Sequence, residues 1–276
     1  SSAGSENFSK NWAVIRQCFD VKENIDKVPE SEMSQSEKDV IKAEATALIA
    51  YRYMGMFYRY GGVPKVTKTF EASDDLTAGR ETLENTLKYI LELCDEALAV
   101  LPAKWDAANT GRMTQGAVLA IKARALMYAA SPLNNQKGIE DWHNAADACA
   151  QALSVALENG YTLVPIENYS ELLHKVSTTN ETIWPDIRSM ANNDKAITSV
   201  IPYILSKGAS SASMTGTGTH PTQNFVDRFE TIDGRPLQTA HQRAEAVAAG
   251  SYNEQLPYLN RDPRLELNII HDGSKP

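Results

Sequence analysis

The sequence predicts a mainly α-helical protein, and three observations support this prediction. Four long segments place apolar residues at steps of three and four, which is the period of an amphipathic helix. Glycine or proline follows each segment, and both residues end helices. Alanine and other small residues are frequent on the apolar faces, so the helices can approach closely. We expect a scaffold of packed helices that carries irregular loops and a few short strands.

The N-terminal part contains a short and a long helical pattern. A short amphipathic segment around Trp12, Ile15 and Phe19 predicts the first helix. The first long helix should begin after Ser34, because Ser34 and Glu37 have the spacing of a capping box. It should end at 61–64, where two glycines precede Val and Pro. Its apolar positions are Val40, Ile41, Ala47, Leu48, Tyr51, Met54, Gly55 and Tyr58.

Three further long helices are predicted over about 80–101, 114–130 and 140–158. The middle one is apolar nearly all round, so neighbours should enclose it. The last begins near Trp142 and carries a stripe of alanine and leucine. The helices predicted over 114–130 and 140–158 form a pair that resembles tetratricopeptide-type packing, in which small residues allow close contact. The helices should therefore stack as pairs.

The character of the chain changes after Gly160. Residues 161–165, 181–188 and 265–270 have patterns typical of short extended segments. Residues 190–222 form a long stretch rich in Ser, Thr and Gly, and loops of that length usually carry function. We therefore predict a helical region over 1–160 and a loop-rich region over 161–276.

The composition excludes several classes of protein. A formal net charge of −8 argues against nucleic acid as a partner, because phosphate binding needs a basic face. No apolar run approaches the ~18 residues of a membrane helix. The three cysteines, Cys18, Cys94 and Cys149, are too few and too far apart for a disulfide framework or zinc site. Cys94 and Cys149 lie on apolar helical faces and should be buried free thiols.

The sequence predicts no catalytic residue, metal ligand or cofactor. The Gly-rich segments 208–211 and 216–218 are not followed by the Lys of a phosphate-binding loop. No G-x-S-x-G motif is present, and the five histidines lack metal-binding spacings, so we expect surface or loop histidines. A pair of glycosidase carboxylates stays open, since their separation depends on the fold. Asp74 and Asp75 lie between predicted helices and should belong to a turn or a solvated face.

Four stretches, in this order along the chain, resemble the SusD/RagB family, the surface glycan-binding lipoproteins of Bacteroidetes starch-utilisation-type systems. They are 43–64, 111–133, 221–234 and 261–265. The first contains Ala43-Glu44-Ala45 and ends in Tyr60-Gly61-Gly62-Val63-Pro64. The second is the most specific and begins Gly111-Arg112-Met113-Thr114. The resemblance covers nearly the whole chain from about residue 10.

Turns and helix packing explain most of these motif residues as scaffold. Arg112 and Arg124 should anchor carboxylates or carbonyls of neighbouring elements. The chain departs from the family at Ile49-Ala50, where the family usually has Arg-Ala. The family also has more chain at both ends, so we expect a fragment. Its lipid-modified cysteine would precede Ser1, and a large segment would follow Pro276.

The resemblance implies non-catalytic capture of oligosaccharide on the extracellular face of the outer membrane. The sugar would then pass to a SusC-like TonB-dependent transporter, on which the helix-pair face would dock. Attachment to the membrane would depend on the lipid anchor that this chain lacks. Two alternatives remain open: a tetratricopeptide-type scaffold that binds a protein, and a carbohydrate-active enzyme.

A sugar site needs an aromatic platform together with a few placed amides and charges. The long loop supplies candidates of each kind in Asn192, Asn193, Asp194 and Tyr203. Trp12 is a further candidate, because the family often places ligand contacts near it, although it could instead anchor its helix.

The other tryptophans have different expected roles. Trp105 lies in the loop before Gly111 and could contribute to contact with the transporter. Trp142 and Trp184 occupy periodic or strand-like positions and should belong to the core.

Overall fold

The computed structural model describes residues 8–71, 73–75, 77–169, 172, 179–185 and 221–274. These residues are mainly α-helical, as predicted. The chain divides into two units. The first comprises Ser1–Leu163 with Ser177–Asp186, and the second comprises Val164–Val176 with Ile187–Pro276.

The first unit contains the five predicted helices. They are α1 (Phe8–Asn24), α2 (Gln35–Tyr60), α3 (Leu83–Leu98), α4 (Gln115–Ala130) and α5 (Ile139–Glu158), with 3₁₀ turns at Ile25–Lys27 and Ala107–Asn109. Each helix packs on the next along the chain, and α2 also contacts α4. The four long helical segments are therefore confirmed.

Side-chain caps define where α2, α3 and α4 begin. Ser34 accepts a hydrogen bond from the backbone of Glu37, whose side chain bonds back to Ser34, so the predicted capping box is confirmed. Thr82 and Thr114 cap α3 and α4 in the same way, although without the reciprocal bond. Gly61, with φ of 70°, follows the last residue of α2.

The core of the first unit lies around α2 and α4. Tyr53, Phe57, Ile49 and Met56 of α2 are 1% exposed or less. Burying each such side chain contributes about 1.5–3 kcal/mol. Helix α4 buries residues on several sides, as its apolar pattern predicts: Gly116, Ala117, Val118, Leu119, Ile121, Ala123, Ala125, Ala129 and Ala130.

An ion pair links α2 to the segment before α4. The guanidinium of Arg112 donates to Glu44 with distances of 2.9 Å from Nε and 2.7 Å from Nη2. The prediction that Arg112 anchors a carboxylate is confirmed, and the two motifs Ala43-Glu44-Ala45 and Gly111-Arg112 are joined by it. Arg124 instead lies near the hydroxyl of Tyr58, and its charge partly offsets the rise in pKa that burial gives to Tyr58.

The prediction for the apolar stripe of α5 is partly wrong. Trp142 is 46% exposed, so it is not a core residue, and Leu153 and Leu157 are exposed as well. Helix α4 contacts α5 along small residues, and α5 buries only Ala145, Ala148 and Ala156. The helical period of the apolar residues is confirmed, but among the described residues only the alanine side of this face is covered by a neighbouring helix.

The predictions for the cysteines hold in part. Cys94 is fully buried, and this burial raises the pKa of its thiol to about 12. Cys149 is only half-buried, because it lies on the incompletely covered helix α5. All three cysteines are free thiols.

The described residues of the second unit contain short elements. They are a 3₁₀ turn at Ile166–Asn168, α6 (Gln223–Val226), α7 (Ala240–Ala248) and α8 (Pro263–Asn268). The strand predicted over 265–270 is wrong, because Asp262 caps a helix there and Pro263 occupies its first turn. Neither 161–165 nor 181–185 forms a strand; the described residues contain one isolated bridge, between Thr231 and Arg261.

Arg261 organises the second unit. Its side chain is buried and donates to the carbonyl oxygens of Val226, Phe229 and Pro257 at distances of 2.6–3.2 Å. Three carbonyls satisfy a charge that would otherwise be costly to bury. In the fourth family motif, 261–265, Arg261 therefore has a structural role.

Candidate functional site

A cleft of about 540 Å³ lies between α1 and the segment that follows α2. We call it the aromatic cleft. Its volume falls within the range of roughly 300–1,000 Å³ that is usual for ligand sites. Its lining consists of Phe8, Trp12, Ile15 and Arg16 from α1, and of Pro64, Val66, Lys68, Thr69, Phe70, Glu71 and Ala78 from the segment.

Helix α1 presents one face to the cleft. Phe8, Trp12 and Ile15 are spaced by four and three residues, so they align along the helix. Their burial is graded: Ile15 is 1% exposed, Trp12 is half-buried, and Phe8 is 42% exposed. Ile15 therefore attaches α1 to the core, while the two aromatic rings remain accessible to a ligand.

A chain of edge-to-face contacts fixes the orientation of these rings. The ring centroids of Trp12 and Phe8 are 5.6 Å apart, and those of Trp12 and Tyr53 are 5.8 Å apart. Phe8 also contacts Tyr60 at 5.1 Å. Such pairs contribute about 0.5–1.5 kcal/mol each beyond the area that they bury. The aromatic wall is thus organised before any ligand arrives.

Two buried tyrosines hold the opposite wall. The hydroxyl of Tyr53 donates to the carbonyl of Pro64 at 3.0 Å and accepts from the amide of Val66 at 2.9 Å. Tyr89 donates to the carbonyl of Val66 at 2.7 Å. Burial, with smaller contributions from nearby carboxylates, raises the pKa of Tyr89 to about 12. Both hydroxyls therefore stay protonated and keep the backbone of 64–66 in place.

Glu23 connects the two walls. Its carboxylate, on α1, accepts hydrogen bonds from the backbone amide of Thr69 at 2.9 Å and from its hydroxyl at 2.5 Å. These two bonds are the main reason why the pKa of Glu23 is lowered. The charged form of Glu23 is thus the one that fixes the width of the cleft.

Charged side chains form the rim. Arg16 is mostly exposed and lies 4.0 Å from Asp20, and Lys68 pairs with Asp74 at 2.9 Å. Asp74 also accepts from the amide of Glu71, and Asp75 accepts from Thr77, which confirms the predicted turn. Glu71 is the single carboxylate among the described residues that line the cleft. The rim can donate to and accept from hydroxyl groups.

The structure places the predicted site residues unequally. Trp12 lies in the cleft, and its role in binding stays a prediction. Asn192, Asn193, Asp194 and Tyr203 lie outside the described residues.

The other tryptophans have separate positions. The prediction that Trp184 belongs to the core is confirmed: it packs against the core and donates to the carbonyl of Gly111 at 2.9 Å. Trp105 donates to the carbonyl of Met113 at 2.7 Å, and the guanidinium of Arg112 lies 4.0 Å over its ring. Its proposed contact with a transporter stays a prediction.

Sequence reasoning missed Phe8, Phe70 and Glu23. The spacing of Phe8 to Trp12 could have identified Phe8, since both lie on one helical face. Phe70 and Glu23 carry no such signal. Phe70 and Thr69, the partner of Glu23, lie in a loop that approaches α1 from a distant part of the sequence.

The described residues contain neither a membrane-spanning helix nor a cluster of metal ligands. Among the helices that the structure describes, none is both long and apolar enough to span a membrane. Within the same residues, no three His, Cys, Asp or Glu side chains are grouped as a metal site.

Comparison with known families gives two matches. The SusD-like family described as starch-binding and associating with the outer membrane matches residues 5–127. The SusD family matches residues 180–275. A search of curated proteins found no match.

Solved structures agree with these matches. A SusD-like protein from Bacteroides fragilis NCTC 9343 is 26% identical, with a TM-score of 0.73, over 97% of this chain and 49% of that one. A SusD-like carbohydrate-binding protein from the same organism is 21% identical, with a TM-score of 0.69, over 97% and 46% of the two chains. The second likeness shows the fold alone.

The chain spans about half the length of these solved proteins. The first family match contains the motif at 43–64 and most of the motif at 111–133, and the second contains the motifs at 221–234 and 261–265. The helical architecture matches that of the solved structures. The chain therefore belongs to the SusD/RagB family.

Proposed function

We propose that the chain binds an oligosaccharide in the aromatic cleft without cleaving it, as part of a protein that captures glycans at the cell surface. The observation that carries this proposal is the arrangement of Phe8, Trp12 and Phe70 around one cleft with a charged rim. The rings of Phe8 and Phe70 are 42% and 38% exposed, so they are available to a ligand.

The chemistry of the cleft suits a sugar. A sugar ring has an apolar C–H face, which an aromatic ring can cover, and hydroxyl groups, which need hydrogen-bond partners. Arg16 and Lys68 can donate to these hydroxyls, and Glu71 can accept from them. The aromatic rings supply most of the buried area, while the charges determine orientation.

The same lining favours binding over hydrolysis. Most glycosidases use two carboxyl groups roughly 5–10 Å apart across the scissile bond. The described lining of the aromatic cleft offers Glu71 alone. The family description also names binding rather than a reaction.

Delivery and location follow from the family. We propose that the full-length protein is lipid-anchored on the extracellular face of the outer membrane and passes its glycan to a SusC-like TonB-dependent transporter. The family description, association with the outer membrane, supports this location. We further propose that the helical region 1–160 and the loop-rich region 161–276 both contact glycan, the latter through Asn192, Asn193, Asp194 and Tyr203.

A second candidate function is a tetratricopeptide-type contact with a protein. The exposed apolar residues of α5 favour it: Trp142, Leu153 and Leu157 are 46–60% exposed. Absence of glycan binding in calorimetry would favour this protein-binding function.

The experiment is a titration of the chain with a panel of neutral soluble oligosaccharides by calorimetry, with product release measured in the same samples. We expect binding of at least one glycan without cleavage. Phe70→Ala should weaken this binding about tenfold, because an aromatic contact is lost. Absence of binding across the panel, or release of products, would contradict the proposal.

Phe225→Ala is the matched control. Phe225 is also an exposed phenylalanine, at 52%, but it belongs to α6 and does not line the cleft. Its replacement should leave the affinity unchanged. Equal losses in the two variants would show that the effect of Phe70→Ala is not specific to the cleft.

A further inference from the structure

A second, smaller cavity of about 160 Å³ lies in the first unit, and we call it the polar pocket. Lys104, Trp105, Arg112, Thr114, Tyr161 and Asn180 are among the residues that line it. They come from the segment before α4, from the segment after α5 and from 179–185. None of them lines the aromatic cleft.

Internal contacts hold the walls of the polar pocket in place. Trp105 is fixed by its bond to the carbonyl of Met113 and by the overlying guanidinium of Arg112. The amide of Thr162 donates to the carbonyl of Asn180 at 3.1 Å, which attaches 179–185 to the segment after α5. The pocket therefore does not need a ligand to form.

The lining of the polar pocket contains two cationic side chains, Lys104 and Arg112. No Asp or Glu is among the described residues that line it. Glu44 pairs with Arg112, and Asp106 also lies near enough to interact with its charge. Lys104 has no ion-pair partner among the described residues, and its ammonium group bonds to a backbone carbonyl. Its ammonium group contacts the carbonyl of Asn159 at 3.4 Å and the ring of Tyr161 at 5.7 Å. A lysine without an ion-pair partner among the described residues favours an anion at this place.

Neutral donors complement the charge. The hydroxyl of Tyr161 and the side-chain amide of Asn180 also line the pocket and can donate hydrogen bonds. Burial raises the pKa of Tyr161, so its hydroxyl stays protonated and can donate. Thr114 caps the N-terminus of α4, whose dipole adds a positive potential on this side of the pocket.

We propose that the polar pocket is a second ligand site, which binds a uronate, that is, a single sugar residue bearing a carboxylate. Lys104 would bind the carboxylate, while Tyr161 and Asn180 would donate to the ring hydroxyls. The volume of about 160 Å³ is below the range of drug-sized pockets, so one sugar residue is the appropriate size. This inference does not depend on the function proposed for the aromatic cleft.

The test is a ligand-observed NMR titration of the chain with glucuronate, glucose and acetate at low ionic strength. Glucose retains the sugar ring without the carboxylate, and acetate retains the carboxylate without the ring. We expect glucuronate to bind more tightly than either. Equal affinity for acetate and glucuronate would overturn the assignment to a sugar, and equal affinity for glucose would overturn the role of the carboxylate.

Lys104→Met removes the charge and keeps most of the apolar stem. It should weaken glucuronate binding about tenfold, because a charged hydrogen bond is lost. Lys88→Met is the matched control, since Lys88 is an exposed lysine of α3 outside both cavities. Unchanged glucuronate affinity in Lys104→Met would contradict the proposal. Binding of neutral glycans should be the same in both variants, which separates this test from that of the aromatic cleft.

Discussion

The aromatic cleft and the polar pocket belong to the same helical unit but offer opposite chemistry. The cleft is larger, about 540 Å³ against 160 Å³, and places aromatic rings against a mixed-charge rim. The pocket is polar, lacks carboxylates in its described lining and contains Lys104, which has no ion-pair partner among the residues that the structure describes. A ligand of the cleft should therefore bind through apolar contact, and a ligand of the pocket through charge.

The two sites also differ in how they are supported. The cleft depends on the segment after α2, which buried tyrosines and Glu23 hold against α1. The pocket depends on Arg112, which Glu44 of α2 fixes, and on Trp105, which bonds to the carbonyl of Met113 just before α4. Replacing the residues that support the cleft should weaken the binding of neutral glycans. Replacing those that support the pocket should weaken the binding of uronates.

The largest effect is expected for Gly62→Ala. A Cβ atom at this position would lie 1.8 Å from the carbonyl oxygen of Glu81, so the turn before Pro64 would have to move. We expect a loss of about 3 kcal/mol in the free energy of unfolding. Urea denaturation would measure this loss, and calorimetry would show weaker binding of neutral glycan.

Gly79→Ala is the control for this change. No described atom lies within 4 Å of a Cβ built at Gly79, which belongs to the same connecting segment. Its stability should change little. Equal denaturation midpoints for the two variants would contradict the close packing of Gly62.

Trp12→Ala should have the next largest effect. It removes a ring that lines the cleft and contacts both Phe8 and Tyr53. We expect neutral glycan to bind about 30-fold more weakly, equivalent to about 2 kcal/mol, with uronate binding unchanged. Trp142→Ala on α5 is the matched control and should retain full affinity in calorimetry. Loss of both ligands in Trp12→Ala would indicate damage to the fold instead.

Glu23→Gln should have a smaller effect. The amide keeps one acceptor for Thr69 but loses the charge and the second acceptor. Neutral glycan should bind about threefold more weakly, because the cleft is less well organised. Glu30→Gln, an exposed position outside the cleft, is the control in the same calorimetric titration. Identical affinities in the two variants would remove the role of Glu23.

The pH dependence of glycan binding gives a related test. The pKa of Glu23 is lowered in the folded protein, so the stabilisation from its charged form is complete above the unfolded pKa of about 4.3. It is lost as the pH falls through the folded value. Calorimetry should therefore give a constant affinity from about pH 8 to pH 5 and a decrease only below about pH 4. A decrease centred near neutral pH would contradict this.

The smallest effect is expected for salt on the aromatic cleft. Raising NaCl from about 50 to 500 mM should change the affinity for neutral glycan by less than about twofold, since stacking is not screened. The affinity for glucuronate should fall several-fold over the same range, because Lys104 is exposed to solvent. NMR and calorimetric titrations at the two salt concentrations would check this difference. The same salt slope for both ligands would remove the distinction between the sites.

Much of the first unit could be predicted from the sequence, because local signals agree there. The capping box at Ser34, the stop at Gly61 and the closely packed α4 all follow from neighbouring residues. The strand predicted at 265–270 was wrong because Asp262 and Pro263 begin a helix, and a capping signal outweighed an alternating pattern. For the site, Trp12 could be named, whereas Phe70 and Glu23 could not.

The sequence by itself determined the helices of the first unit, their ends and the family, since these depend on residues close together in the chain. Only the tertiary structure decided which apolar face is covered, and so why Trp184 packs on the core while Trp142 is 46% exposed. It also decided that Glu44 pairs with Arg112, that Glu23 binds Thr69, and that Phe70 faces Trp12 across one cleft. These contacts join residues far apart in sequence, and no local period or cap encodes which partners the packing of helices brings together.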